Sequence, residues 1–393
     1  MFTIGNIVWF IVQFLVGYNL VLPLFLYLLY AVHKKQDFDR TTVNSDADYA
    51  VIVTAYEHTD LLPAVVGSIL KMDYQHFIVY VVADKCDISH LHFEDERVVI
   101  LRPPEVLASN TRSHFYAIRH FIRNHERLTI IDSDNIVAPD YLNKLNACFD
   151  AGYIAVQGQR EAKNLDTTLA CLDAARDIYY HFYDGRLLFQ IGSSATLAGS
   201  GMAFTVQLYR DCLEHLDITG AGFDKVLQAA IVQWGHRIAY APDAIIYDEK
   251  TSVSDQLVKQ RARWINTWFK YSKLGFSLMG KGIAYFNFNQ LIFGLILLRP
   301  PLFIFLLASV FFTIMNTFID PAIAYGWIVG LLVFVTGFCI ALWKSRVDPR
   351  IYRSLTHIPK FVFYQVASLL KVRRANSYSV ATKHTADKQQ AND

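Results

Sequence analysis

The segment LTIIDSD, residues 128–134, is a short apolar run that ends in two acidic residues, Asp132 and Asp134. Runs of the same kind recur between residues 49 and 247 and alternate with helix-like segments. This alternation indicates a mostly parallel α/β sheet, because crossover helices cover both faces of such strands. Ligands of these sheets bind beyond the carboxyl ends of the strands. We therefore expect the two carboxylates to face a binding cleft.

The predicted elements fill the block between residues 45 and 275. Strands are expected at 49–56, 77–84, 97–103, 128–134, 153–159, 201–206 and 237–247. Helices are expected at 61–72, 110–124, 167–184 and 223–234. The second strand also ends in an acid, Asp84. The sequence contains neither GxGxxG nor GxxxxGK[ST], which excludes a dinucleotide fingerprint and a P-loop.

The composition excludes two further classes of site. The formal net charge is only +2, whereas nucleic-acid-binding domains are strongly basic, so we expect no nucleic-acid partner. The five cysteines form no CxxC pair, and none has zinc-ligand spacing to a histidine. We expect the cysteines to be reduced, buried thiols, and we assign none of the histidines to a metal.

Three apolar segments are long enough to cross the ~30 Å hydrocarbon core of a bilayer. The first, residues 4–31, lacks a signal-peptide cleavage site and is expected to be an uncleaved anchor. Lys34 and Lys35 follow it, and basic residues also follow the third segment, which predicts that both of these ends are cytosolic. Because Arg299 is costly within a bilayer, the second span is expected to begin at Leu302. The N-terminus is then outside and the C-terminus inside.

These assignments divide the chain into five parts. The parts are an N-terminal transmembrane anchor (1–35), a cytosolic α/β domain (45–275), an interfacial or re-entrant segment (276–301), two transmembrane helices (302–343), and an interfacial amphipathic helix with a polar tail (344–393). On the amphipathic helix, Phe361 and Val366 belong to the apolar side, whereas Gln365 and Ser368 belong to the polar side.

Two groups of residues are suited to an anionic ligand. In KQRARWINTW, residues 259–268, helical spacing brings Gln260, Arg263 and Trp264 to one face that mixes amide, guanidinium and indole groups. Such a face suits a ligand that is both flat and anionic. Asp132 and Asp134 are spaced to hold one hard divalent cation, Mg²⁺ or Mn²⁺, together with substrate phosphate.

Six segments, taken in order, resemble the motifs of the membrane-embedded family-2 glycosyltransferases, the group that contains cellulose, chitin and hyaluronan synthases. The segments are VVADKCD, IDSDN, VQGQREAKN, LAGSGMAF, GFDKVLQ and QRARW. QRARW fits the family's Q-x-x-R-W, and the spacing between Asp224 and Gln260 is typical of the family. The resemblance covers roughly residues 49–275 and the flanking spans. It implies a GT-A fold, which is Rossmann-like with a mostly parallel sheet.

The resemblance implies a donor site for a nucleotide-diphosphate sugar, most closely a UDP-sugar. Asp84 resembles the acid that contacts the uridine part of the donor. Asp132 and Asp134 resemble the pair that binds the metal ion, Mg²⁺ or Mn²⁺, and the diphosphate. Gln260 and Arg263 resemble the helix residues that hold the donor diphosphate.

The resemblance also implies an acceptor site. Asp224 resembles the general base, and Trp264 lines the acceptor entrance. Gly199 and Gly201 would let the acceptor sugar approach the backbone, and Gln157 joins them among the substrate-binding candidates. A single base and direct displacement imply inversion, which gives a β-linked product from an α-linked donor.

The sequence departs from the family pattern at three places. The base motif usually has an acid before the aspartate, where this chain has Phe223. The first strand usually ends in Asn-Glu, and here Tyr56 and Glu57 stand at that end. The basic residue expected near the helix at 110 corresponds to Arg112. Tyr56, Glu57 and Arg112 are included among the substrate-binding candidates.

Three functions are compatible with these residues. The first is extension of a β-linked polysaccharide at the inner membrane face, although three spans are few for a pore without interfacial helices or a second copy. The second is one or a few transfers to a lipid-linked or short acceptor. The third is an inactive nucleotide-sugar-binding membrane regulator, against which the intact acidic and basic residues argue. The expected partners are a nucleotide sugar, a glycan or lipid-linked acceptor and membrane lipids, and homo-oligomer formation is left open.

Overall fold

The computed structural model describes residues 4–33 and 46–369. Lys34, Lys35 and the polar tail, on which part of the membrane prediction depends, lie outside the described residues. Within the described ranges, eight strands form one sheet. The strands are β1 (Tyr49–Tyr56), β2 (Phe77–Asp84), β3 (Val98–Leu101), β4 (Arg127–Asp132), β5 (Ile136–Val137), β6 (Ala155–Ala162), β7 (Met202–Thr205) and β8 (Ala239–Asp248).

The α-helices of the described residues flank this sheet and continue into a membrane-type bundle. They are α1 (Ile4–Val32), α2 (Leu62–Leu70), α3 (Asn110–Arg119), α4 (Tyr141–Asp150), α5 (Thr168–Tyr180), α6 (Leu188–Gln190), α7 (Val206–Leu213), α8 (Phe223–Gln233), α9 (Ser254–Tyr271), α10 (Lys273–Ala284), α11 (Phe288–Leu298), α12 (Leu302–Ile319), α13 (Pro321–Lys344), α14 (Pro349–Ser354) and α15 (Ile358–Leu369). A π-helical segment, His181–Leu187, joins α5 to α6, and a 3₁₀ turn, Leu355–His357, joins α14 to α15.

The sheet has the strand order β3-β2-β1-β4-β7-β6-β8-β5. Strands β3, β2, β1 and β4 are parallel to one another, and β6 is parallel to β8. Strand β7 runs antiparallel between β4 and β6, and the short β5 runs antiparallel to β8. Every residue of β2 is buried, as expected for a strand covered on both faces. The predicted mostly parallel α/β sheet is confirmed. The sequence pattern did not reveal the antiparallel direction of β7 or the short strand β5.

The strand register brings three expected site residues to one edge of the sheet. Tyr56 pairs with Asp84, and Thr54 pairs with Asp132, in parallel register. The carboxyl ends of β1, β2 and β4 therefore open on the same side, where ligands of parallel sheets bind.

Several predicted boundaries move in the folded chain. Strands β1 and β2 begin and end at the predicted residues. The helix expected at 110–124 ends at Arg119, because the following chain turns to pack Phe121 against the Tyr80 ring, with 4.8 Å between the ring centroids. The helix expected near 167–184 becomes π-helical at His181. Helices α4 and α7 were not predicted.

Helices α1, α12 and α13 are long and apolar enough to span a membrane. Three spans were predicted, and α12 begins at the predicted Leu302. The side of the membrane on which each end lies stays a prediction. Four of the five cysteines are buried, and all five are free, whereas Cys339 on α13 is exposed, contrary to the expectation that all would be buried.

Helices α10 and α11 form a close hairpin within the segment that was predicted to be interfacial or re-entrant. Glycines let the two backbones touch: a Cβ atom at Gly282 would lie 2.4 Å from the Leu291 nitrogen, and one at Gly294 would lie 2.6 Å from the Met279 nitrogen. The turn between the helices leaves the Phe286 side chain 96% exposed. Small residues at such contacts are typical of closely packed membrane-associated helices.

The C-terminal helix α15 packs on α9 in an unexpected orientation. Gln365 and Ser368, predicted for a solvated polar side, are buried together with Phe361. The exposed side carries apolar residues, among them Phe363 and Val366. The prediction was therefore wrong for Gln365 and Ser368, which become buried because α15 packs on protein, whereas Lys360 of the same predicted side is exposed.

Arg299 lies buried at the junction between the sheet domain and the membrane helices. Its guanidinium forms an ion pair with Asp184 of the π-helical segment and lies 5.2 Å from the Tyr180 ring centroid. Burial raises the pKa of Asp184, although the Arg299 charge opposes this rise. Both charges are almost completely withdrawn from solvent, so each depends on the other.

We expect Asp184→Asn to destabilise the fold by about 3–5 kcal/mol, because it leaves Arg299 buried without an ionic partner. Thermal unfolding of the purified protein in detergent should report a lower midpoint. The double variant Asp184→Leu/Arg299→Met is the control, and it should recover most of the loss because no buried charge remains. An unchanged midpoint for Asp184→Asn would show that the pair does not hold the junction.

Candidate active site

The two aspartates after β4 are held by buried side chains that the sequence analysis missed. The Asp132 backbone N–H donates to Ser200 Oγ at 3.0 Å, and Ser200 Oγ donates to Asn135 Oδ1 at 2.5 Å. Asn135 Nδ2 then donates to Asp134 Oδ1 at 3.0 Å. Ser200 and Asn135 are buried, whereas both aspartates are partly exposed. The buried Ser200 and Asn135 side chains thus fix the turn, while the carboxylates of Asp132 and Asp134 stay accessible at the surface.

Ser200 belongs to a loop, residues 198–201, that Gln157 organises from β6. Gln157 Oε1 accepts the Ala198 N–H at 2.9 Å, and its Nε2 donates to the Ser200 carbonyl at 3.1 Å. Gly201 has φ 66°, and a Cβ atom there would lie 2.8 Å from Ile246 Cδ1, so the position requires glycine. Gly199 has φ 87° and open space beside it. The loop therefore presents bare backbone toward the aspartates.

Asp84 occupies a buried position at the carboxyl end of β2. Its two carboxylate oxygens accept the backbone N–H groups of Leu107 at 3.0 Å and Ala108 at 2.7 Å. Just beyond it, a cleft of about 580 Å³ is lined by residues that include Lys85, Arg102 and Glu105. Asp84 thus shapes the wall between β2 and the loop at 107–108.

Tyr56 and Glu57 lie beside this cleft, and Arg112 lies on α3. Lys85 Nζ contacts Glu57 Oε1 at 2.7 Å and lies 5.9 Å from the Tyr56 ring centroid. The hydrogen bond from Lys85 lowers the pKa of the exposed Glu57. The Arg112 guanidinium forms an exposed ion pair with Asp217 at 2.6 Å.

Asp224 lies in the first turn of α8, and a glycine sets the distance of this turn from α9. Gly222 precedes α8 with φ 108°, and a Cβ atom there would lie 2.6 Å from both Thr267 Cγ2 and Tyr271 Cε2 of α9. Farther along α8, Gln228 Oε1 accepts the Leu197 N–H at 2.9 Å. Helix α8 therefore contacts α9 at its start, and through Gln228 it contacts Leu197, the residue before the 198–201 loop.

The three motif residues of α9 differ in exposure. Gln260 Oε1 accepts the Thr251 hydroxyl at 3.2 Å, and burial lowers the pKa of Arg263. The Trp264 indole remains 40% exposed and contacts two guanidiniums, Arg176 at 4.4 Å and Arg261 at 4.0 Å from the ring centroid. These contacts are cation–π interactions.

Asp173 of α5 holds those two guanidiniums together. Its Oδ1 atom contacts Arg176 at 3.2 Å and also forms a buried ion pair with Arg261. Burial and the neighbouring Arg176 lower the pKa of Arg261 to about 10. Asp173 therefore holds both guanidiniums in position against the Trp264 ring. The charged residues among the apolar side chains of α5, namely Asp173, Arg176 and Asp177, were the signal of this contact that the sequence offered.

A buried charge cluster, comprising Arg160, Asp177, Asp248 and Lys250, joins α5 to the ends of β6 and β8. Lys250 Nζ lies 2.5 Å from Asp177 Oδ2 and 2.7 Å from Asp248 Oδ1. Arg160 contacts Asp248 Oδ2 and the Ala198 carbonyl, each at 2.5 Å. Burial alone would lower the pKa of Lys250, but Asp177 and Asp248 raise it. None of these roles was predicted.

The pKa values of groups in and next to this cluster are also shifted. Burial lowers the pKa of His181, the first residue of the π-helical segment, to about 4. Burial would lower the pKa of Arg160 as well, but Asp248, Asp177 and Asp132 outweigh it and raise the pKa. The Asp132 charge therefore interacts with the Arg160 guanidinium. This interaction links the buried charge cluster to the aspartate turn.

The predicted residues thus fall into linked groups. Asp132, Asp134, Gln157, Gly199 and Gly201 belong to one hydrogen-bonded turn and loop. The helices that carry Asp224, Gln260, Arg263 and Trp264 are joined to this loop by the contacts of Gln228 and Gly222. Tyr56, Glu57 and Asp84 lie at the adjacent strand ends. Arg112 forms a surface ion pair with Asp217, and its Nη1 atom donates to the Leu107 carbonyl at 3.4 Å, next to the backbone that binds Asp84.

The aspartate turn suits a hard divalent cation. Asp132 and Asp134 offer partly exposed carboxylate oxygens, the ligand type that Mg²⁺ and Mn²⁺ prefer. Among residues 4–33 and 46–369, no group of three or more His, Cys, Asp or Glu side chains could form a complete metal cage. One or two carboxylates, completed by substrate phosphate, is the usual arrangement for Mg²⁺.

Comparison with known proteins agrees with this architecture. The family model described as "Glycosyltransferase like family 2" matches residues 47–267. The chain is similar to the mannosyltransferase PcManGT from Pyrobaculum calidifontis in complex with GDP-Man and Mn2+, with a TM-score of 0.58, 16% sequence identity, and coverage of 92% of this chain and 97% of that chain. It also matches S. aureus TarS 1-349, with a TM-score of 0.42, 15% identity, and coverage of 84% and 90%. No curated protein matches the sequence.

At this identity, PcManGT shows a shared fold and nothing finer. The family match covers more than half of the chain and contains the sheet, the aspartate turn and most of α9. The chain therefore belongs to glycosyltransferase family 2, with a GT-A fold joined to three helices long enough to span a membrane.

Proposed function

We propose that the chain transfers a sugar from a nucleoside-diphosphate donor to an acceptor hydroxyl, with inversion, at the face of a membrane. The observation that carries the proposal is the hydrogen-bonded chain through Ser200, which fixes Asp132 and Asp134 beside the 198–201 loop. Helix α8, which holds Asp224, contacts the residue before that loop through Gln228. The start of α8 also packs against α9, which holds Arg263. Such an arrangement combines groups for the leaving diphosphate with a base for the acceptor.

The leaving group is the first requirement of the chemistry. Asp132 and Asp134 would hold Mg²⁺ or Mn²⁺, which supplies charge stabilisation for the departing diphosphate when bound. Arg263 can donate two hydrogen bonds to phosphate oxygens from its planar guanidinium. Its partial burial strengthens such contacts, because water screens them less. The Mn²⁺ and GDP-Man bound by PcManGT lend support by analogy.

The acceptor is the second requirement. Its hydroxyl is a weak nucleophile, so a positioned carboxylate must accept the proton, and Asp224 is the candidate. Gly222 keeps Asp224 close to α9, where Trp264 offers an exposed indole to a sugar ring. Direct attack with a single base inverts the anomeric centre, so an α-linked donor gives a β-linked product.

The nucleobase of the donor is predicted to be uracil, as in a UDP-sugar. Because both oxygens of Asp84 already accept backbone hydrogen bonds, we propose that the base binds in the adjoining cleft near Lys85, Arg102 and Glu105, with Asp84 supporting the cleft wall. Tyr56, Glu57 and Arg112 stay predicted contributors to donor binding. The finer predictions of a growing polysaccharide and of a cytosolic catalytic face rest on the resemblance and on the basic residues that flank the spans.

We also propose that the hairpin of α10 and α11 and the helix α15 lie in the membrane interface. The exposed Phe286 at the hairpin turn and the exposed Phe363 and Val366 on α15 support this position. The five-part division predicted from the sequence follows from the same assignment.

Asp224→Asn should reduce transfer about 10²–10⁴-fold while leaving the affinity for the nucleotide sugar unchanged, because the amide keeps the shape but cannot accept the proton. Initial rates with labelled donor and calorimetric donor binding measure the two quantities. The exposed Asp211 on α7 supplies the control variant, Asp211→Asn. Unchanged turnover in Asp224→Asn would refute the role of general base.

Removal of divalent cations with excess EDTA should stop transfer, and Mg²⁺ or Mn²⁺ should restore it. Asp134→Asn should weaken cation-dependent binding of the nucleoside diphosphate, because one of the two anionic ligands is lost. Titration with the diphosphate, with and without Mn²⁺, measures this effect, and Asp140→Asn serves as the control. Full activity in EDTA would remove the metal from the scheme.

Arg263→Ala should weaken binding of the nucleoside diphosphate about tenfold or more, because a charge-assisted, bidentate contact contributes more binding free energy than a neutral hydrogen bond. Arg263→Lys should recover only part of the affinity, since an ammonium group cannot bind two oxygens in one plane. The exposed Lys259 on the same helix gives the control Lys259→Ala. Equal affinities for the Arg263→Ala variant and the unmodified protein would count against the clamp.

A further inference from the structure

The three membrane-type helices enclose packed side chains. Leu20 and Leu26 of α1, Phe312 of α12, and Trp327 and Phe334 of α13 are buried in one cluster. The Phe312 and Trp327 rings stack with their centroids 5.3 Å apart. The common interior of the bundle is therefore occupied by large apolar groups.

The helices also approach one another closely at glycines. A Cβ atom at Gly17 would lie 3.4 Å from the Trp327 ring, and one at Gly330 would lie 3.1 Å from Leu20 Cδ1. At the sheet-domain end, the Tyr183 hydroxyl donates to the Gly337 carbonyl at 2.8 Å. A Cβ atom at Gly337 would lie 3.5 Å from Pro23 Cβ, so contacts between α1 and α13 continue from Gly17 to Pro23.

Polar side chains inside the bundle bond to one another and to their own helices. Gln13 Oε1 accepts hydrogen bonds from Asn316 Nδ2 and from Trp327 Nε1, both at 2.7 Å. The Ser309 and Thr313 hydroxyls donate to carbonyls four residues earlier on α12. This pattern ties the three helices together, although Gln13 Nε2, Asn19 Oδ1 and Asn316 Oδ1 have no hydrogen-bond partner among the described residues. These few polar groups lie among the large apolar side chains of the described bundle.

A glycan that crossed this interior would have to bury its hydroxyl groups among leucine and phenylalanine side chains. Each polar group buried without a partner costs on the order of several kcal/mol in hydrocarbon. Passage would therefore require the helices to separate and to lose the contacts just described.

The catalytic cleft, in contrast, lies next to surfaces that suit lipid. Helix α15 packs on α9, which carries Trp264, and also contacts α12. The outer side of α15 is apolar, with Phe363 and Val366 exposed. An acceptor with a lipid tail could thus keep its tail in the bilayer while its head group reaches the indole.

We infer that the acceptor is a lipid-linked sugar, extended at the membrane face, and that this chain does not itself carry a polymer across the bilayer. The inference rests on the proposed function and names its acceptor class. In the step, the acceptor hydroxyl oxygen bonds to the anomeric carbon while the bond from that carbon to the β-phosphate oxygen breaks. The hydroxyl proton passes to Asp224, and the nucleoside diphosphate leaves.

The product location provides the first test. Sealed inside-out vesicles from cells that express the chain are incubated with labelled UDP-sugars and GDP-sugars, and the label is then partitioned between organic solvent and water. We expect label in the lipid extract that is absent from vesicles carrying Asp224→Asn. Water-soluble polymer protected inside the vesicles would overturn the inference and keep the proposed function. Absence of any Asp224-dependent product would contradict the proposed function, and the inference with it.

A cross-link provides the second test. A Cβ atom at Gly330 would lie 3.7 Å from Leu20 Cβ, within the ~3.5–4.5 Å range of disulfides. The variant Leu20→Cys/Gly330→Cys is made with Cys339→Ser, which removes the exposed thiol. Oxidation should leave transfer within about twofold of the reduced form, since the helices need not part. A tenfold or greater loss on oxidation, reversed by a reductant and absent from each single-cysteine control, would show that α1 and α13 separate during turnover.

Discussion

Buried charges that must be paired are the constraint on which the site depends. Lys250 is withdrawn from water and Arg160 largely so, and the carboxylates of Asp177 and Asp248 offset the loss of their hydration. Pairing them fixes the ends of β6 and β8 against α5. The second guanidinium arm of Arg160 then holds the Ala198 carbonyl, so the loop beside the aspartate turn is set by the same cluster. From α5, the Asp173–Arg261 pair extends this order to α9.

A second set of contacts mounts this site on the membrane helices. The π-helical segment presents His181 toward the buried charge cluster, and it presents Tyr183 and Asp184 toward α13 and Arg299. A π-helix places successive side chains differently from an α-helix and often marks functional positions. Because this one short segment contacts both the charge cluster and the membrane helices, it fixes the position of the cleft relative to the bundle. This relation supports the proposed transfer at the membrane face.

The way in which the bundle is packed bears on function as much as the cleft does. Here the helix interior is filled by large apolar side chains with few polar groups among them, while apolar surfaces lie beside α9. These features favour an acceptor that approaches sideways from the lipid. The aromatic platform of Trp264, supported by Arg176 and Arg261, is the part of the cleft best placed to receive it.

The sequence by itself determined the features that local pattern encodes. Strands such as β1 and β2 were placed residue by residue, because a strand buried on both faces is a continuous apolar run. The sequence also revealed the aspartate turn, the Q-x-x-R-W motif and the three long apolar helices. Only the tertiary structure decided the antiparallel direction of β7, the inward side of α15, and the partners Ser200, Asp173 and Lys250. Those features depend on hydrogen bonds and ion pairs between residues far apart in the chain, which leave no periodic trace in the sequence.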